Sequence, residues 1–406
     1  MAVRIISEAD RCLQCKNPMC RQGCPVHTQI PQIVKMFREN RLMDAGETLF
    51  SNNPMSLVCA IVCNHEAQCT GHCVLGRKGQ PVLFYEIEKY ISDAYLDRMK
   101  AVRAPFNGKT AAVIGSGPAG MTVAFKLAQH GYGVTIFEER NRIGGMLQYG
   151  IPDFRLPKTI LDRYRDRLLE LGVRIRPHVA MGGDLMIENL FRDGYSTVFI
   201  GTGVWRPSTL GIHGETLANV HFGISYLARP ISYAIGQTVA VIGMGNVAMD
   251  VARTAFRNGA QRVMLFERGG KSPASEHERQ YAELDGAEFF FGKAIRRISP
   301  DGPVFSDSIL DEEGRFVGMA DNEEQVLADT VIIAINQGPK NKLVNTTHGL
   351  KASERGLLIV DENSMTTRPG VFAAGDVVHG SLTVAHAVEG AKKAADAMMR
   401  YMEEHG

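Results

Sequence analysis

One pattern occurs twice in this chain and limits its fold more than any other feature: a short apolar run, a glycine turn, a helical stretch and a second apolar run ending in an acid. In the first copy, Thr110 to Ile114 leads into Gly115-Ser116-Gly117-Pro118-Ala119-Gly120, and Gly133 to Phe137 ends at Glu138. In the second, Thr238 to Ile242 leads into Gly243-Met244-Gly245-Asn246-Val247-Ala248, and Arg262 to Phe266 ends at Glu267. The first glycine precedes the acid by 23 positions in one copy (115 to 138) and by 24 in the other (243 to 267). Each copy is a βαβ unit of the length used in doubly wound α/β domains. Two copies imply two Rossmann-like dinucleotide-binding domains.

In the first turn, Gly115 permits the tight bend, Gly117 lets the backbone approach a pyrophosphate, and Gly120 lets the helix pack against the strand. The helix N-terminus then offers free N–H groups and a partial positive charge to phosphates. Glu138 stands where a carboxylate accepts bonds from ribose hydroxyls. FAD is the expected cofactor here because of the far end of the chain. Gly370 to Asp376 reads as a strand ending in Gly-Asp, and Thr383 to Met402 as a long Ala-rich helix. Asp376 can meet a ribityl–phosphate region, and a helix N-terminus at Thr383 can stabilise charge on a reduced flavin ring.

The second turn is a GxGxxA variant, with Gly243, Gly245, Asn246 and Ala248 as candidate contacts to a nicotinamide nucleotide. Glu267 sits where an acid bonds a 2′-hydroxyl and repels a 2′-phosphate, which favours NADH. Arg268 and Lys271 could instead hold that phosphate, so NADPH stays open.

All eight cysteines fall in the first 73 residues: Cys12, Cys15, Cys20, Cys24, Cys59, Cys63, Cys69 and Cys73. A disulfide framework suits a small secreted domain, not a chain of 406 residues whose N-terminus has no apolar signal region. The first group closes with Cys24-Pro25, a spacing also met in bacterial ferredoxins, and thiolates are soft donors suited to iron. Zinc is the alternative, since four-cysteine zinc sites use short spacings too. A neighbouring flavin tips the choice towards iron–sulfur clusters, because zinc would give its electrons no outlet. A thioredoxin-reductase type of dithiol is disfavoured, because no cysteine follows position 73.

Net charge is +1 and no apolar run approaches the length of a membrane helix, so neither nucleic acid nor membrane insertion is expected. The expected location is the cytoplasm. Short helices such as Ile30 to Arg38, and a longer one from Phe84 to Lys100, fill the N-terminal segment, and Ala104 to Gly108 reads as a linker. The expected organisation is α/β: a mainly helical iron–sulfur domain over 1–105, a discontinuous FAD domain over 106–230 and 356–406, and an NAD(P)H domain over 231–355.

The chain also resembles a known family across nearly its whole length. The resemblance rests on both cysteine groups, GSGPAG, Gly144-Gly145-Met146-Leu147, the run Tyr149-Gly150-Ile151-Pro152-Asp153-Phe154-Arg155-Leu156-Pro157, GMGNVAMD, Pro273-Ala274-Ser275-Glu276, and AAGDVVHG. These segments are similar to the small subunit of glutamate synthase and its relatives. The relatives include the flavoprotein subunit of bacterial dihydropyrimidine dehydrogenase, the N-terminal half of the animal enzyme, and the large subunit of an electron-bifurcating ferredoxin:NADP oxidoreductase. The resemblance implies FAD, with Gly145 and Arg155 among its contacts, and two 4Fe-4S clusters with exchanged ligands. Cys12, Cys15, Cys20 and Cys73 would hold one. Cys24, Cys63, Cys69 and a non-cysteine ligand, Glu88, would hold the other, leaving Cys59 spare. Relatives that use NADPH usually carry arginine where Glu267 stands, which adds to the NADH reading.

The implied activity is oxidation of NAD(P)H at FAD, with electrons passing through the clusters to a partner subunit that reduces pyrimidines or makes glutamate. A stand-alone NAD(P)H oxidase or diaphorase, and a zinc-binding scaffold, are the alternatives. No acid–base pair stands out, and the lone His379 and His386 are read as structural or solvating.

Overall fold

The computed structural model describes residues 2–405, so the expected domain limits at 1 and 406 lie outside the described residues. The chain forms two compact units. One spans Met1–Gln148, Asp153–Val204 and Pro339–Gly406, as far as these are described, and the other Tyr149–Pro152 and Trp205–Gly338.

In the first unit, the repeat's two apolar runs are strands Thr110–Ile114 and Gly133–Phe137, paired in parallel. The sheet has five parallel strands in the order Val371–Ala373, Thr197–Ile200, Thr110–Ile114, Gly133–Phe137 and Arg174–Arg176. Strand order therefore reverses at Thr110–Ile114, which opens a crevice at the carboxyl ends of the strands. The helices Pro118–Gln129 and Val384–His405 pack against each other. Their small buried residues, such as Ala124, Ala128, Ala391, Ala394 and Ala395, allow that close approach.

The N-terminal segment folds as helices Ala2–Asp10, Ile30–Arg38, Leu42–Asn52, Ser56–Val62 and Phe84–Arg98. Ile33, Val34, Leu49, Ile87 and Ile91 form its core, with Cys69 among them. This segment is built into the same unit as the first sheet. Phe50 meets Phe125 edge-on at 5.2 Å, and Phe125 meets the fully buried Tyr164 at 6.1 Å. Arg163 pairs with Asp93 and Asp97 at 2.7 and 2.8 Å. The Ala104–Gly108 linker lies along the first βαβ unit, with Ala104 N–H donating to Gln129 and Asn107 N–H to Gly131.

The second unit repeats the design. Its parallel strands run in the order Val220–Phe222, Thr330–Ile333, Thr238–Ile242, Arg262–Glu267 and Glu288–Phe291. An antiparallel layer, chiefly Lys293–Ser299 and Gly302–Leu310, is added to it. No described helix is long and apolar enough to cross a membrane.

Candidate functional sites

The first glycine turn is shaped by what surrounds it. Gly115 has φ +92°, and a Cβ there would lie 2.7 Å from Gly201 O. A Cβ on Gly120 would lie 2.0 Å from Gly115 O, so helix and strand touch through backbone alone. At Gly117 a Cβ would meet nothing within 4 Å. That open position, at the N-cap of Pro118–Gln129, is the cradle a pyrophosphate needs.

Three other segments close around this turn. Gly145 has φ +53°, and its Cβ would lie 2.9 Å from Gly117 Cα, while Gly144 N–H donates to Ser116 O at 2.9 Å. Glu138 is buried; its carboxylate accepts from Ser116 N–H at 3.0 Å, from the Ser116 hydroxyl and from Arg140 N–H at 2.8 Å. It also borders an open pocket of about 270 Å³ with Asn141, Arg142 and Gln148. Gly375 packs against Ala119 and Ala387, placing Asp376 beside the start of the first helix. Burial raises the Asp376 carboxyl to about 6, despite a hydrogen bond from Leu382 N–H. Thr383 stands just before Val384–His405, its hydroxyl 2.7 Å from His386 Nδ1 and bonded by Gln68 Nε2–H at 3.2 Å. Gly115, Gly117, Gly120, Glu138, Gly145, Asp376 and Thr383 thus gather around one crevice. Arg155 lies in a turn, half-buried, between Asp153 and the Thr159–Glu170 helix.

The second turn keeps the same plan. Gly243 has φ +112°, and its Cβ would lie 2.6 Å from Ala334 O. Gly245 again faces open space. Ala248 is fully buried, so the third position accepts a methyl here. Glu267 ends its strand and accepts from Gly269 N–H at 3.1 Å. Arg268 is exposed, its guanidinium 5.2 Å from the Phe316 ring centroid. Asn246 Oδ1 accepts from Ser275 N–H at 2.9 Å, and the Ser272 hydroxyl donates to Met244 O at 2.8 Å. The Pro273–Glu276 motif is therefore bound to the glycine turn. Spacing alone carried no sign of that contact.

The cysteines are all free thiols. Cys12, Cys15, Cys20, Cys69 and Cys73 line one cavity, walled by Met19, Ile30, Val82 and Phe84. Burial is the largest effect on Cys12 and Cys20; it raises both thiols, Cys20 to about 11, and neighbouring thiols add to the rise. Gln14 Nε2–H points at Cys12 Sγ (3.6 Å) and Val82 N–H at Cys73 Sγ (3.5 Å). Such N–H donors suit sulfurs that carry charge.

Glu88 is a buried acid of the same segment. It is only 6% exposed, on the Phe84–Arg98 helix, and burial followed by the Cys59 charge holds its carboxyl well above the usual range. Burial raises the Cys24 and Cys69 thiols, the hydrogen bond with Cys59 followed by burial raises Cys63, and the Glu88 carboxyl adds to all three. A buried acid in a cysteine-bearing segment supplies donor chemistry that fits an iron–sulfur site. Cys59 and Cys63, four residues apart, share a hydrogen bond that lowers the Cys59 thiol and raises Cys63. Among the described residues, no three His, Cys, Asp or Glu side chains converge as a single ion requires. The donor chemistry, thiols with one buried carboxylate, fits iron–sulfur clusters.

Comparison with known proteins gives the family. Residues 109–394 match the pyridine nucleotide-disulphide oxidoreductase family, and residues 2–100 match the dihydropyrimidine dehydrogenase domain II, 4Fe-4S cluster family. The chain belongs to the first of these families, and its N-terminal segment is similar to the second. It is an NAD(P)H-dependent flavin oxidoreductase with FAD and 4Fe-4S cofactors, related to the glutamate synthase small chain. The Escherichia coli glutamate synthase (NADPH) small chain is 32% identical over 98% of this chain and 91% of its own length. The NAD-dependent dihydropyrimidine dehydrogenase subunit PreT of Salmonella typhimurium is also 32% identical, over 98% and 94%. Among solved structures, Mycobacterium tuberculosis FprA in complex with NADPH shares the fold: TM-score 0.62, 18% identity, 74% of this chain and 85% of that one. The T. acidophilum thioredoxin reductase shares it too, with TM-score 0.57, 22% identity, and coverage of 73% of this chain and 98% of that one. Family membership thus agrees with the fold, cofactor and enzyme class expected from the motifs.

Proposed function

We propose that this chain is the electron-input subunit of a larger oxidoreductase. In this reading it oxidises a nicotinamide nucleotide at FAD and passes the electrons through two 4Fe-4S clusters to a catalytic partner. FAD supplies the chemistry of accepting two electrons as a hydride and releasing them singly. Gly115, Gly117 and Gly120 with the N-terminus of Pro118–Gln129 hold the pyrophosphate, and Glu138 the ribose. Gly145 and Arg155 flank them, and Asp376 with Thr383 serve the ribityl and ring end. Gly243, Gly245, Asn246 and Ala248 receive the nicotinamide nucleotide.

The observation that supports the reading is that all eight thiols lie in the N-terminal segment, five of them lining one cavity, with the acid Glu88 buried in the same segment. Cys12, Cys15, Cys20 and Cys73 bind one cluster; Cys24, Cys63, Cys69 and Glu88 bind the other. Cys59 stays outside both sets. Eight unpaired thiols suit a reducing compartment, which supports a cytoplasmic location. Glu267 with Arg268 drawn to Phe316 favours NADH over NADPH. The partner would carry the final substrate; a pyrimidine-reducing subunit fits the NADH preference best, and one that makes glutamate is the other choice.

The test is anaerobic purification of Glu88→Ala with cluster counting by EPR and iron analysis. One altered cluster and one intact cluster are expected. Two intact clusters with unchanged potentials would falsify the ligand assignment. Co-purification from the native host, with the captured subunit identified by mass spectrometry, tests the partner.

A further inference from the structure

A chain of hydrogen bonds joins the Val384–His405 helix to Cys24. Lys392 Nζ donates to Asn52 Oδ1 at 2.9 Å. Asn52 Nδ2 donates to Val26 O at 3.1 Å and to Thr28 Oγ1 at 3.5 Å. Thr28 Oγ1 lies 3.4 Å from Cys24 Sγ. Thr28 is 1% exposed, so water does not compete for its hydroxyl.

The direction of every bond follows from its first member. A lysine ammonium has donors only. It therefore turns the Asn52 carbonyl oxygen towards itself and the Asn52 amide hydrogens towards Val26 and Thr28. The Thr28 oxygen is then an acceptor, and its one proton is free to be given away. The neighbour in reach is Cys24 Sγ, which as a metal-bound thiolate is an acceptor.

We propose that Lys392 and Asn52 are positioning residues that aim the Thr28 hydroxyl at Cys24 Sγ and so raise the reduction potential of the cluster Cys24 serves. The inference rests on the ligand reading above. A hydrogen bond to a ligand sulfur stabilises the more negative, reduced cluster more than the oxidised one. Lys392 adds its charge in the same sense. Its side chain is 21% exposed, and Glu389 at 3.7 Å is its carboxylate partner. The helix that follows the candidate flavin segment thereby influences the sulfur of a candidate cluster ligand.

The experiment is an EPR-monitored redox titration of the anaerobically purified full-length holoprotein. In Thr28→Val the midpoint of one cluster should move to more negative potential. About a tenfold fall in its reduced-to-oxidised ratio at fixed poise is expected, which is about 59 mV for a one-electron couple. Thr28→Ser should restore the midpoint, and Lys392→Met should shift it in the same direction by less. An unchanged midpoint in Thr28→Val or in Lys392→Met overturns the relay, as does a Thr28→Val shift that Thr28→Ser fails to reverse. If Thr28→Val does not assemble its clusters, Lys392→Met decides alone. Cys24→Ala separates the two readings: loss of one cluster signal supports the ligand assignment, and retention of both overturns that assignment.

Discussion

Gly120 and Gly115 meet so closely that a single added carbon on Gly120 would stand 2.0 Å from the Gly115 carbonyl oxygen. Gly117, between them, has no neighbour within 4 Å of its own missing Cβ. Two alanine substitutions in one turn should therefore fail differently. Gly120→Ala forces backbone apart and should cost about 1–3 kcal/mol or more, read as a lower melting temperature of the flavin-free protein. Gly117→Ala should leave that melting temperature nearly unchanged, yet purify with depleted FAD absorbance.

Asp376 should make the flavin-free protein sensitive to pH. Its folded carboxyl titrates at about 6, against an ordinary value of 3.8. Because the folded value is raised, the native state is not penalised below the unfolded value, and the penalty grows as pH rises towards and past 6. Asp376→Asn removes the penalty. The variant should match the parent near pH 4 and be more stable by at most about 3 kcal/mol above pH 7. Urea denaturation across that range checks it; equal stability at pH 7.5 contradicts the burial argument.

Arg253 is anchored by Asp285 at 3.0 Å, and Arg257 reaches the same carboxylate at 2.8 Å. Burial alone would raise the Asp285 carboxyl, but hydrogen bonds and charge from Arg257 and Arg253 bring it below its usual range. This stabilisation is fully present above the unfolded value near 4 and fades as pH falls through the lower folded value. Asp285→Asn should lower stability at pH 7 by about 1–3 kcal/mol, a gap that narrows in acid. Differential scanning calorimetry at pH 7 and pH 3 gives both numbers.

Glu267 sets the cofactor preference in the proposed function. Glu267→Arg replaces an acid at the strand end with a phosphate-binding group. The ratio of kcat/KM for NADPH over NADH should rise at least about tenfold, or roughly 1.4 kcal/mol. Steady-state ferricyanide reduction with each nucleotide measures it, and an unmoved ratio assigns selection to residues elsewhere.

The parts of this fold legible in the sequence are those made by neighbours along the chain. The strands Thr110–Ile114, Gly133–Phe137 and Thr238–Ile242 and the helix Ile30–Arg38 occupy the expected residues, since each is written by a local apolar run or a three- to four-residue period. The long helix expected from Thr383 to Met402 begins one residue later and continues to His405, because helix ends depend on local capping. The antiparallel layer was not legible. Gly302–Leu310 is buried on both faces over its first half and alternates only in the second, so no single period marks it. Nor was the contact of Gln68 with Thr383, 315 positions away, or the seat of Ser275 on Asn246. Both join side chains that are unremarkable in their own segments. The division of the cysteines into two sets came from family resemblance, since spacing alone suggested four and four in chain order.

The position of the Val371–Ala373 strand bears on how the protein is made. It is an edge of the first sheet, yet it is synthesised after the whole Trp205–Gly338 stretch. The second unit is almost continuous in the chain and can fold soon after it leaves the ribosome, as domains generally do. The first unit must wait. Its sheet, Asp376, Thr383 against Gln68 and the helix that carries Lys392 to Asn52 are supplied only by residues 371–405. A prematurely ended chain would keep all eight thiols and both glycine turns and still lack one wall of the flavin crevice. That wall of the flavin crevice is thus made only after both glycine turns and the whole second unit.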